Sequence, residues 1–321
     1  MSKSLSMALA LVMLIASATV VAAGQTRPIR IGYLQADIHQ LACWVALDKG
    51  FYQDEGLKVE VAGVFKAGPE EMSAFIAGEL DMGYVGEAPA TTAVANGAAK
   101  VVVLAQVNTE GSAVVVAKHS PIKRVQDLAG RLSAVPGHST VQDFLLKKAL
   151  AQAAVPAGKA KVVVIKPPEM IPALRSGQIA SFIAWEPYPA RAQSSGVGRV
   201  LVRSGEIWPD HPCCVLVADQ RFLKTRRAEA LKMVRAHVRA TDFIRRHPEQ
   251  ALAIGVKYTG MDAATVRLAM ANVKYTYHIS VDGEKQYVRF LAKLGYIKVK
   301  DADAFVKRFL HGELLAEVLQ K

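Results

Sequence analysis

Cysteine is scarce in this 321-residue chain, which has three: Cys43, Cys213 and Cys214. That number excludes a disulfide-stapled scaffold, and no CxxC or HxxxH pair announces a structural zinc site. Aromatic residues make up 7% of the chain, and no aromatic stacking motif accompanies the basic residues as single-strand nucleic-acid binding requires. No internal repeat or low-complexity linker is present, which argues against a solenoid or a tethered array. Beyond the first two dozen residues, no apolar run reaches the ~20 residues of a membrane-spanning helix.

The start of the chain, MSKSLSMALALVMLIASATVVAAGQ, has a different texture. Lys3 precedes an apolar run from Leu5 to Val21, and Val21-Ala22-Ala23 supplies small residues before Gly24. That is the layout of a secretory signal peptide, so residues 1–23 are expected to be removed, leaving a soluble, exported, periplasmic protein. An oxidising compartment permits disulfides, but three thiols cannot all pair within one chain.

The formal charge is +12 and the sequence pI is about 9.6. The bases concentrate between Arg221 and Arg246, where acids and apolar residues interrupt them. This is the pattern of a solvated helix face, and no nucleic-acid partner is expected.

From Ile29 onward, short apolar segments alternate with helical ones. IRIGYLQ reads as a strand and LACWVALDKG as a helix closed by Gly50. Pro69 with Glu70 and Glu71 opens another helix, and LDMGYVG is the next strand. VVVLAQV, SAVVVAK, RLSAVP, KVVVIK, IASFIAW, RVLVRSG and CCVLVA continue the strand series, with helices from about Ser139 and at PPEMIPALRSG. After about Asp219 the pattern becomes helical. This alternation predicts an α/β protein with mostly parallel sheets covered by helices.

Four segments in order carry a resemblance: WVALDKGFYQDEGLKVEV, FIAGELDMGYVGEAP, IKRVQDLAGRLSAVPGHST and PALRSGQIASFIAWEP. Together they resemble the solute-binding proteins of ABC importers for nitrate, taurine, alkyl sulfonates and thiamine precursors. The likeness runs from Ile29 to about Ala218. It implies a two-lobed periplasmic-binding-protein fold of type II topology, with residues 24–110 and 211–321 in lobe 1 and 111–210 in lobe 2. SAVVVAK and CCVLVA would be the crossover strands. The resemblance also implies a monomer that delivers a small-molecule solute to a membrane permease, without catalysis or cofactor.

Ligands of α/β sheets bind beyond the carboxyl ends of the strands. That rule selects six loops: 35–44, 85–92, 108–113, 136–141, 185–189 and 210–214. None contains Lys or Arg, while Asp37, Glu87, Glu110, Glu186 and Asp210 all fall within them. The candidate ligand-binding residues are Gln35, His39, Gly86, Glu87, Gly111, Ser112, His138, Ser139, Thr140, Trp185, Glu186, His211 and Cys213. Ser139 or Thr140 would cap a helix whose first amides attract acceptors. Gly86 and Gly111 allow close backbone approach, and Trp185 offers a flat apolar wall. A neutral, zwitterionic or amine-bearing solute suits this composition better than a bare anion.

The stretch His211-Pro212-Cys213-Cys214 opens a strand, where neighbours point to opposite sides, so one of the two cysteines should face the cleft. A Cys43–Cys213 or Cys43–Cys214 disulfide, a vicinal bridge and buried inert thiols are all open readings. No metal site is expected, although His39, His211 and the cysteines have ligand chemistry suited to zinc or copper. The competing functions are an enzyme on the same fold, of pyrimidine-forming or menaquinone-pathway type, and a metal-dependent binding protein. Fungal pyrimidine synthases of related fold carry a longer cysteine cluster, so their iron chemistry does not transfer to HPCC.

Overall fold

The computed structural model describes residues 27–320. The expected signal peptide lies outside them. Among the described residues, no helix is long and apolar enough to cross a membrane.

Two sheets organise the chain. The first contains β1 (Ile29–Leu34), β2 (Val59–Phe65), β3 (Met82–Gly86), β4 (Val101–Glu110), β10 (Pro212–Asp219) and β11 (Val273–Tyr275), in the order β11-β4-β10-β3-β1-β2. The second contains β5 (Ser112–Ala117), β6 (Leu132–Val135), β7 (Lys161–Val164), β8 (Ser181–Trp185) and β9 (Gly198–Arg203), in the order β7-β6-β8-β5-β9. Each sheet is covered by helices, which gives two lobes. β3 is buried throughout and β10 along nearly all its length, as strands packed on both faces must be. Edge strand β2 is largely exposed.

Most strands in each sheet run the same way, with β10 and β11 reversed in the first and β5 in the second. β1–β2, β1–β3, β6–β7 and β6–β8 pair in parallel. β10 is antiparallel to both β3 and β4, and β5 is antiparallel to both β8 and β9. Crossing between lobes accounts for the reversal of β10 and β5: strands that enter a sheet from its ligand-facing end run against those that begin at the far end.

The first crossover is a single residue. Glu110 ends β4, Ser112 begins β5, and Gly111 between them has φ +85°. Glu110 also sits at φ +59°, so two consecutive left-handed residues swivel the chain from one sheet to the other. The second crossover passes through the short helix Ser204–Ile207 into β10. A backbone bond from Glu110 N to His211 O, at 3.1 Å, ties the two crossovers together.

The helical tail returns to lobe 1. Helix Arg227–Arg246 packs against helix Leu41–Asp48, and its bases find acids: Arg235 meets Glu55 at 2.6 Å and Arg239 meets Asp54 at 2.7 Å. Trp44 belongs to the lobe 1 core, stacked on Tyr258 with 5.1 Å between ring centroids.

Candidate functional site

The lobes meet face to face, and the space between them is lined from both sides. Leu34, Asp37, Gly68, Gly86, Pro89, Cys213 and Cys214 come from lobe 1, and Thr140, Val141, Gln142 and Trp185 from lobe 2. The lobes are closed: the cavity between them is about 10 Å³, roughly the least that holds one water.

Helices Gly68–Ile76, Glu87–Ala95 and Val141–Gln152 all begin at this cavity. Their first turns point positive dipole ends inward. Thr140 caps the third, its hydroxyl accepting from Asp143 N at 3.1 Å and donating to Gly137 O at 2.8 Å. Trp185 is buried, and its indole N–H lacks a protein partner. No Lys or Arg lines the cavity.

The floor of the cavity is a buried polar cluster. His39 Nε2 donates to Gly111 O at 2.7 Å, which turns Nδ1 toward Cys213 Sγ at 3.3 Å and Cys214 Sγ at 3.9 Å. Asp37 approaches the same nitrogen, with Oδ1 at 3.6 Å, and its Oδ2 accepts from Cys214 at 3.9 Å. Both cysteines face this point because β10 bulges. Pro212 pairs with Thr109 and Cys214 with Asn108, which leaves Cys213 as an extra residue. A bulge re-aims a side chain that strict alternation would send to the opposite face. The expectation that only one cysteine faces the cleft is corrected by this irregularity.

Burial opposes ionisation of Cys213, but the hydrogen bond from Cys214 and the charge of His39 outweigh it and hold the thiol well below its ordinary value. His39 responds in the other direction. Burial disfavours its charge, yet Cys213 and Asp37 together raise it to about 9. Burial pushes Asp37 up to about 7 against the pull of His39.

The three cysteines are free thiols, so the structure holds neither a Cys43 bridge nor a vicinal one. Cys43 lies in helix Leu41–Asp48, hydrogen-bonded with Tyr52 in the core, outside the His39–Cys213–Cys214 group.

The other expected residues divide. Gly86 and Thr140 line the cavity with Trp185 and Cys213, while Gly111 and His39 form the floor beneath. Ser112 is buried beside it, its hydroxyl accepting from Gln142 at 3.0 Å. Gln35 and His138 are exposed, and Ser139 is half-buried at φ +60° just outside the lining. His211 is buried but turns its ring onto Trp208, with Nδ1 donating to Pro212 O at 3.0 Å.

The acids are mostly occupied internally. Glu87 accepts from Gln106 at 3.1 Å and hydrogen-bonds Glu284 of the helical tail, and burial pushes it up to about 7. Glu186 accepts from Ala190 N at 3.0 Å and from Asn272 at 2.8 Å, and burial likewise pushes it to about 7. Glu110 and Asp210 both bind Lys274 at 2.8 Å at the crossovers. Of the five loop acids, Asp37 alone lines the cavity.

Sequence reasoning missed Gln142, Asn272 and Glu284. Gln142 follows the capping residue by two positions and could have been found from that spacing. The other two lie in the helical tail, where no local pattern marks them.

A family model described as the NMT1-like family matches residues 22–256. A putative binding protein of Brucella abortus (strain 2308) is 29% identical over 256 residues, covering 79% of this chain and 78% of its own. A putative aliphatic sulfonates-binding protein of Escherichia coli (strain K12) is 28% identical over 268 residues, covering 80% of each chain. The crystal structure of the periplasmic nitrate-binding protein NrtA from Synechocystis PCC 6803 superposes with a TM-score of 0.83 at 16% identity, covering 92% of this chain and 89% of that one.

Proposed function

The chain belongs to the NMT1-like family, and from that premise we propose that it is a solute-binding receptor that captures a small organic molecule between its lobes and presents it to an ABC importer. Relatives with binding-protein names that match about four-fifths of the chain support this reading. We take residues 24–110 and 211–321 as one lobe and 111–210 as the other, in a monomer that is exported to the periplasm and does no chemistry on its ligand.

One observation carries the ligand class. Helix N-termini from both lobes and the Trp185 indole offer donors to the solute, while Asp37, on the lobe 1 side, is the acidic side chain of the lining, and no Lys or Arg lines the cavity. A charge-balanced solute, with an acceptor group such as a carboxylate toward the helix N-termini and an amine or N–H toward Asp37, satisfies these groups. A bare anion leaves Asp37 opposed to it. The relatives named for sulfonate and nitrate share the architecture; the loops decide the ligand.

The test is a thermal-shift screen of the purified, metal-free protein against amino acids, betaines, pyrimidines, sulfonates and nitrate. A saturable rise in Tm with a zwitterionic or neutral organic solute is expected, since a ligand that binds only the folded state stabilises it. A rise confined to nitrate or sulfonates overturns the ligand class. A closed, non-titrating protein against the whole panel counts against the receptor reading.

A further inference from the structure

The imidazole and the two sulfurs in the floor of the cleft have chemistry that capture of an organic solute does not use. Among the described residues, His39, Cys213 and Cys214 are the group whose ligand atoms lie within 4.8 Å of one another, and all three are buried. We propose that they bind one zinc ion, with the carboxylate of Asp37 as the fourth ligand, in the floor of the same cleft, so that the metal and the solute share Asp37.

The spacing fits before any metal arrives. Tetrahedral zinc, with about 2.3 Å to sulfur and about 2.0 Å to nitrogen, places those two atoms roughly 3.5 Å apart. Here the imidazole nitrogen stands 3.3 Å from one sulfur and 3.9 Å from the other. An Asp37 oxygen is 3.6 Å from the same nitrogen, and its other oxygen is 3.9 Å from Cys214 Sγ. An ion centres among the His39, Cys213 and Cys214 atoms, and Asp37, just outside that group, has to swing in to complete the set.

The supporting contacts are those a metal site needs. His39 spends Nε2–H on the Gly111 carbonyl, which fixes the ring and leaves Nδ1 as the coordinating atom. Asp37 is held by His39 N at 3.1 Å and by the Gln40 amide at 3.3 Å. Cys214 is anchored through its backbone N–H to Asn108 at 3.1 Å. The bulge that turns Cys213 inward is a backbone device whose effect is to bring two adjacent sulfurs to one point. Two sulfurs, one imidazole and one carboxylate form a four-coordinate set that suits zinc, whereas copper(I) favours fewer and softer ligands. All four groups belong to lobe 1, so the ion can bind while the lobes are apart.

Cobalt(II) is the probe. The purified protein, reduced and then freed of reductant and metal under anaerobic conditions, is titrated with cobalt(II) and back-titrated with zinc. One equivalent is expected to give an intense near-ultraviolet thiolate-to-cobalt band with tetrahedral visible bands, both erased by one equivalent of zinc. Cys213→Ser and Cys214→Ser should each weaken zinc by more than about 100-fold, the upper end of what losing an outer-shell partner costs. Cys43→Ser should leave the titration unchanged. Absence of the charge-transfer band in the unsubstituted protein overturns the proposal, however the variants fold. So does a band that survives in the Cys213→Ser/Cys214→Ser double variant, or tight copper(I) binding without cobalt or zinc. The solute screen on metal-free protein reads the receptor function separately, so either proposal can fail alone.

Discussion

Asn272 donates to Oε1 of Glu186 across 2.8 Å, joining the helical tail of lobe 1 to the loop that follows β8 in lobe 2. Thr265 donates to Ser194 at 2.8 Å along the same seam, and Ile38 N bonds the Glu186 carbonyl at 3.2 Å. Glu186 therefore works as a latch between lobes rather than as a wall of the cavity.

Breaking the latch should favour opening. Asn272→Ala removes a hydrogen bond to a buried carboxyl, a loss of about 1–2 kcal/mol. If closure accompanies binding, solute affinity should fall by about tenfold. Small-angle scattering of the ligand-free variant should show a larger radius of gyration than the parent. An unchanged radius with unchanged affinity removes Asn272 from the closing contact.

Glu87 should make stability depend on pH in a defined direction. Its folded value is raised to about 7 from an ordinary 4.5, chiefly by burial. Below about pH 4.5 the carboxyl is neutral in both folded and unfolded states, and its contribution is fully present. As pH rises from 4.5 to 7 the unfolded chain loses this proton while the folded chain keeps it, so stability falls; above 7 the loss levels off. Measured as the difference between the parent and Glu87→Gln, denaturant stability should fall by a few kcal/mol across that window. The subtraction cancels the histidines, which titrate in both proteins.

Gly111 should tolerate no side chain. It has φ +85°, and a Cβ there would lie 2.4 Å from His39 Nε2. Gly111→Ala combines backbone strain with displacement of His39, so urea denaturation should show a loss of about 2 kcal/mol or more. A neutral result would mean that the junction relaxes freely.

Thr140 has two roles that substitution can separate. Thr140→Ala deletes the helix cap and should cost about 1 kcal/mol of stability. Thr140→Ser keeps the capping oxygen and should restore that stability. Because Thr140 also lines the cavity, calorimetry should find weaker solute binding in Thr140→Ala.

The two-lobed arrangement followed from the family resemblance, while the α/β alternation was legible because strands such as MGYVG and SFIAW are short, apolar and punctuated by glycine or proline. The reversal of β5 and β10 was not, since periodicity reports burial and not orientation. The cleft loops were legible in outline, and Gly86, Thr140, Trp185 and Cys213 reach the cavity. What composition could not show is how acids are neutralised. Glu87 meets Glu284 and Gln106, and Glu186 meets Asn272, through contacts made only after the tail folds back. Nor could spacing show a site assembled from residues 174 positions apart in the chain, His39 and Cys213. A one-residue bulge is invisible to a period-two pattern, yet it decides where a sulfur points.

The one-residue junction at Gly111 has a mechanical corollary. A rotating body moves each of its points in proportion to that point's distance from the pivot, and a turn of one lobe about this junction would have its pivot against the His39 ring. Residues at the outer lip therefore sweep a long arc for a small turn, while atoms next to the fulcrum scarcely travel. Leverage of this kind would let the mouth admit a small molecule and leave the innermost groups in nearly constant register.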